Sequence, residues 1–153
     1  MTRSNLREIA VHLVYAMGIS RDPAAELVET RLNEENYGEL SGESEVYAQR
    51  PDKKQSEYLR TLVSGVEEKQ QELDDLIGRY AVGWKVSRIS AICRAILEVA
   101  LYEIAYVDDV PTGVAINEAV ELCKKYEEPE TAAFVNGILG SYVREAERDV
   151  PGT

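Results

Sequence analysis

Apolar residues recur at helical spacing along most of the chain, and the densest run is WKVSRISAICRAILEVALYEIAYV, residues 84–107. Ile89, Ile92, Cys93, Ile96, Leu97, Ala100, Leu101 and Ile104 fall three and four apart, which is one face of a helix. Val99, Tyr102 and Tyr106 add apolar surface on a second side. A helix that is apolar around most of its circumference needs neighbours on several sides, so the pattern predicts a central core helix. Arg88, Arg94, Glu98 and Glu103 interrupt the run. No stretch of about 18 uncharged apolar residues is left to span a bilayer.

The same periodicity predicts helices on either side. Leu6, Ile9, Ala10, Leu13, Val14 and Met17 line a first helix over 3–17, capped by Thr2 or Ser4 and stopped at Gly18. Arg3 and Arg7 lie four apart on a side away from that stripe, and such a face is ordinarily solvated. Asp22-Pro23 reads as an N-cap and first-turn proline, opening a second helix to about Asn36 with an acidic outer face. Periodicity is lost over 37–52, YGELSGESEVYAQRPD, which predicts a loop. From 53 to 80 two stripes follow, Tyr58, Leu59, Leu62, Val63 and Val66, then Leu73, Leu76 and Ile77. The change of phase around Gln70-Gln71 predicts a break near Glu72.

Gly78 and Gly83 loosen the chain before Trp84. That sets an expected boundary between an N-terminal subdomain, 1–81, and a C-terminal one, 82–148, with a tail at 149–153. Pro111 or Thr112 opens a further helix through Tyr126, and Glu127-Glu128-Pro129 turns the chain into a last helix, 130–147. Gly137 and Gly140 inside it each cost roughly 1 kcal/mol relative to Ala, an expense that makes sense where two helices approach closely. No segment alternates with period two. The fold class is all-α, about seven helices in two small bundles.

Charge narrows the function. Acids outnumber bases 28 to 17, and a net charge of −11 argues against bulk attraction to nucleic acid. Local basic patches remain on the acidic body: Arg3, Arg7 and Arg21 near the start, then Arg79, Lys85, Arg88 and Arg94 over 78–97 without an acid. Cys93 and Cys123 fall on apolar faces with no Cys-x-x-Cys pair, so they read as buried core thiols of a cytoplasmic protein rather than a disulfide or metal site. The N-terminus has no signal-peptide pattern.

As an enzyme the chain is poorly equipped. His12 is the single histidine and lies on a helix flank, and the carboxylates stand on outward faces without a motif spacing. There is no Gly-rich phosphate loop and no Cys/His ligand set, so neither cofactor nor metal is expected. Tyrosine is abundant, nine against one Phe. Tyr15, near the end of the first helix, is placed to stack on a base. On residue chemistry alone, the chain is a helical interaction module.

Three stretches in order, AILEVALYEI, VAINEAVELCKKY and FVNGIL, resemble the transcription antitermination factor NusB family. RSNLREIAVHLVY resembles that family's arginine-bearing first helix, and YLRTLVSGVEEKQQELDDLI its long middle segment. The resemblance covers about residues 3–145. It implies two perpendicular helical bundles and no catalysis. It further implies a partnership with ribosomal protein NusE in binding boxA RNA, and membership of an RNA polymerase elongation complex that resists termination in ribosomal RNA operons.

By position, the RNA-binding residues it implies are Arg3, Arg7, Tyr15, Tyr126, Glu130 and Phe134. Departures stand beside it. Ser4 and Asn5 separate Arg3 from Arg7, so binding by the lone chain is expected to be weak and salt-sensitive. Cys93 and Glu98 replace residues expected to face a partner. Related domains also front ribosomal RNA methyltransferases, but no strand or Gly-rich turn here supplies a cofactor domain. The rival reading is a helical protein-interaction module, including a homodimer, with reduced RNA binding.

Overall fold

The computed structural model describes residues 1–81, 83 and 89–148. Trp84, Lys85 and Arg88 of the central apolar run, and the expected tail at 149–153, lie outside the described residues. Within them are seven α-helices and no strand: α1 (Arg3–Ser20), α2 (Ala24–Leu32), α3 (Glu34–Ser41), α4 (Lys53–Tyr80), α5 (Ala91–Tyr106), α6 (Thr112–Tyr126) and α7 (Pro129–Arg148). A 3-10 turn at Glu45–Tyr47 precedes α4. The chain forms two compact units that divide between Glu68 and Lys69, inside α4 rather than at its end.

The first unit is built around α1. Leu6, Ile9, Ala10, Leu13, Val14 and Met17 are buried as the periodicity predicts, and so is Val11 on the other side. Thr2 caps the start, its hydroxyl accepting from the Asn5 amide at 3.1 Å. The helix passes through Gly18 and ends three residues later than expected, where Arg21 takes a left-handed conformation (φ 63°) and its amide reaches the Met17 carbonyl at 2.9 Å.

Helix α2 starts differently from the Asp22 cap that the sequence predicts. Pro23 is the N-cap residue and has no side chain to offer. The acceptor for the Ala24 amide is instead the Glu67 carboxylate of α4, at 2.8 Å. An acid from a distant helix therefore does the work of a local cap.

The second helix does not run to Asn36, and 37–52 is not one loop. Asn33 turns extended (ψ 133°), ends α2 and caps α3 through its side chain, which accepts from the Glu35 amide at 3.0 Å. Tyr37, Val46 and Tyr47 are all buried. The Tyr37 hydroxyl donates to the Gln49 carbonyl at 2.5 Å, and its ring meets Tyr47 edge-on. A segment polar in composition is thus held by its three apolar members.

Helix α4 is continuous, without the break expected near Glu72. Leu59, Val66 and Leu73 are buried and seven apart, so the two stripes share one face. The gap between them, Lys69 and Gln70, falls where the chain passes from one unit to the next.

In the second unit α5, α6 and α7 pack pairwise. Helix α5 is buried on most sides, as its pattern predicts, with Cys93, Ala95, Ile96, Leu97, Val99, Ala100 and Leu101 all inside. Burying one such leucine contributes about 1.5–3 kcal/mol. Ser90 caps it, accepting from the Cys93 amide at 3.2 Å. The remainder of α4 joins this unit through polar contacts: Tyr106 donates to Glu72 at 2.5 Å and Tyr80 to Glu145 at 2.7 Å. The glycines of α7 do not mark a close approach. A Cβ at Gly137 would meet nothing within 4 Å, and one at Gly140 only the Arg144 guanidinium at 3.3 Å.

Candidate nucleic-acid interface

Each unit carries part of the residue set that the sequence singles out. In the first unit, the start of α1 exposes Arg3, whose guanidinium carbon lies 4.4 Å from the centre of the Tyr58 ring on α4. Tyr15 is 39% exposed, three turns further on. Arg7 is a correction. It is only 3% exposed and is engaged within the chain, so it does not lie on a solvated face. The cause is that α1 is surrounded: Glu8 beside it is 6% exposed, and Val11, one turn after Arg7, is fully buried.

His12 belongs to the same buried flank. Its Nδ1 lies 2.8 Å from the Tyr47 hydroxyl, which also accepts from Arg31 at 2.5 Å. The phenolic oxygen can accept from Arg31 and still exchange a hydrogen bond with His12, so the imidazole holds the 3-10 turn against α1. Burial, ahead of the opposing pull of Arg31, pushes the Tyr47 phenol above its usual range. This histidine is a structural group.

In the second unit the turn from α6 to α7 gathers the rest. Tyr126 ends α6 and is 38% exposed, with the Lys125 ammonium 5.5 Å from its ring centre. Glu130 is exposed in the first turn of α7, and Phe134, half-buried, follows four residues later on the same face. Glu127 fixes the turn by accepting a hydrogen bond from the Ser90 hydroxyl ahead of α5. Lys124 and Lys125 are the cations of this corner, favoured by the C-terminal end of the α6 dipole. Lys-Lys-Tyr closing a helix is the sequence signal for this corner.

The two positions that depart from the family pattern on α5 are both buried, Cys93 as its apolar face predicts. Cys93 is 1% and Glu98 3% exposed. Cys93 hydrogen-bonds Cys123 in the α5–α6 core; that bond holds the Cys93 thiol below its usual range and pushes Cys123 above it. Glu98 lies beside Asp74, with the Gln70 amide 3.3 Å away. Burial first, then the neighbouring Asp74 carboxyl, pushes Glu98 up to about 8. Two carboxylates have no donor between them. A proton on Glu98 supplies it to Asp74, whose Oδ1 is buried and finds no other partner.

Each unit by itself thus exposes cations beside half-wet rings, Arg3 and Tyr15 in the first and Lys124, Lys125 and Tyr126 in the second, and these are residue types that can meet phosphates and unpaired bases. Residues 4–144 match the model of the NusB family. This chain belongs to that family.

It is 40% identical over 144 residues to the transcription antitermination protein NusB of Acetivibrio thermocellus, covering 94% of this chain and 90% of the relative. Its identity to the same protein of Bacillus subtilis is 34% over 148 residues, 97% of this chain and 99% of the relative. Among solved structures it is similar to T. maritima NusB (31% identity, TM-score 0.69, 95% of this chain and 92% of that one). A structure of NusB and NusE in complex with double-stranded RNA shares the fold at TM-score 0.72 and 22% identity, over 94% and 96% of the two chains. Among the described residues, no helix is long and apolar enough to cross a membrane.

Proposed function

We propose that this NusB-family chain is a non-catalytic, RNA-binding transcription antitermination factor of the cytoplasm. With ribosomal protein NusE it binds boxA of nascent ribosomal RNA transcripts and, within the RNA polymerase elongation complex, suppresses premature termination. The observation that carries this reading is the family match over residues 4–144, which takes in α1 from Ser4 onward and the α6–α7 turn.

The assigned roles follow from chemistry and exposure. Arg3 meets a phosphate or a base edge, and Tyr15, Tyr126 and Phe134 offer rings to unpaired bases. Glu130 accepts from a base amino group. Arg7, buried as it is, acts by holding α1 in place. With Arg7 withdrawn, α1 exposes a single one of its two arginines, which favours weak binding by the lone chain and dependence on NusE.

The test is a titration of fluorescent boxA RNA with the protein, alone and with NusE, beside Arg3→Ala and Tyr15→Ala. Binding should tighten with NusE. Tyr15→Ala should lose on the order of 1–3 kcal/mol, the worth of one stacked base, and Arg3→Ala should weaken affinity and flatten the salt dependence. Unchanged affinity in both variants would remove α1 from the site. No binding by the wild type in either condition would leave the rival reading, a helical protein-interaction or dimerisation module.

A further inference from the structure

The start of α4 carries more positive charge than folding asks for. Lys53 and Lys54 open a 28-residue helix, where cations oppose the helix dipole and acids are favoured. No acid stands in its first turn, nor in the first turn of α1. Asp52 precedes the lysines, but its carboxylate is turned to the backbone. It accepts from the Gln55 amide at 2.8 Å, while the Gln55 side chain accepts from the Asp52 amide at 3.0 Å, a reciprocal cap.

This helix start is tied to that of α1. The Gln55 side chain donates to the Met1 carbonyl at 2.7 Å, and Arg3 lies over Tyr58 at 4.4 Å. Lys54 stands one turn before Tyr58 on the same face, whereas Lys53 stands one turn before Glu57 on another. Arg3 and Lys54 are exposed and Tyr58 is half-buried. A guanidinium stacked on a ring is a planar cation of the kind on which an unpaired base stacks. An ammonium nearby suits a phosphate as a point charge. A carboxylate from a protein partner would pair with the cations but leave the stacking unused.

We infer that the RNA-binding surface of the first unit extends from α1 onto the start of α4: Arg3 stacks an unpaired base, Tyr58 positions Arg3, and Lys54 holds the adjoining phosphate. This rests on the RNA-binding reading above.

The test uses the full chain with NusE and fluorescent boxA RNA at several salt concentrations, with a thermal melt of each variant. Lys54→Gln should weaken binding about threefold or more at low salt and reduce the log–log salt slope by about 0.7, one phosphate contact on a single strand. Lys53→Gln removes the same net charge from another face and should leave the slope near that of the wild type. Tyr58→Leu should weaken binding about fivefold or more, while Tyr58→Phe, which keeps the ring, should stay within about twofold.

Wild-type affinity and slope in Lys54→Gln, with Tyr15→Ala still impaired, would overturn this extension and leave the function standing. Equal losses in Lys53→Gln and Lys54→Gln would overturn it as well, since the effect would then be net charge alone. A wild type that binds no RNA sinks both readings.

Discussion

At the scale of single residues, Glu98 is the most consequential surprise. A carboxyl on an almost fully buried position of α5 faces Asp74, Gln70 and Arg94, and its pKa rises to about 8. The folded value lies above that of an unfolded glutamate, about 4.3. Its contribution to stability is therefore complete below about pH 4 and is lost progressively as pH rises through about 8. Above that, folding must bury a second carboxylate beside Asp74. Glu98→Gln keeps a donor toward Asp74 and an acceptor for Gln70 without the charge. Denaturant melts across pH 5 to 9 should show the variant gaining on the wild type as pH rises, by roughly 1–3 kcal/mol at pH 8.5. Parallel curves for the two proteins would mean that the carboxyl pair does not share a proton.

At the scale of elements, α7 and α2 depart from their local codes in opposite ways. Gly137 is exposed in the middle of α7, and a Cβ there would touch nothing within 4 Å. Helical φ/ψ suits alanine, so the glycine costs backbone entropy without any packing return. Gly137→Ala should stabilise the protein by about 0.5–1 kcal/mol, read as a higher denaturation midpoint at unchanged m-value. A loss of stability would reveal a contact for which the glycine is kept. In α2 the local code is too weak rather than too costly. Pro23 cannot cap, and the helix start depends on Glu67 from α4.

At the scale of the whole molecule, charge decides how RNA is held. A chain of net charge −11 gains nothing from bulk attraction, so affinity must come from a few placed cations. If Lys54, Lys124 and Lys125 each meet one phosphate, counterion release sets a log–log slope of about −2. Raising salt from about 50 to about 200 mM should then weaken binding by the lone chain on the order of 20-fold. A flat salt response in fluorescence titrations would mean that rings and hydrogen bonds carry the binding instead.

The order of helices, the all-α class and the core role of α5 were legible in the sequence alone. They rest on periodicity, which is set by residues three and four apart. The exposed ring of Tyr15 and the aromatic-acidic turn at Tyr126, Glu130 and Phe134 were legible through family resemblance. What spacing cannot report is which faces meet across 20 to 60 residues of chain. Only the tertiary structure decided that Arg7 is buried, that Tyr37 and Tyr47 pin a polar segment, that Glu67 caps α2, and that Glu98 faces Asp74. Each depends on a second element arriving from elsewhere to remove water from a side chain, and desolvation turns the same residue from a solvated charge into a structural one.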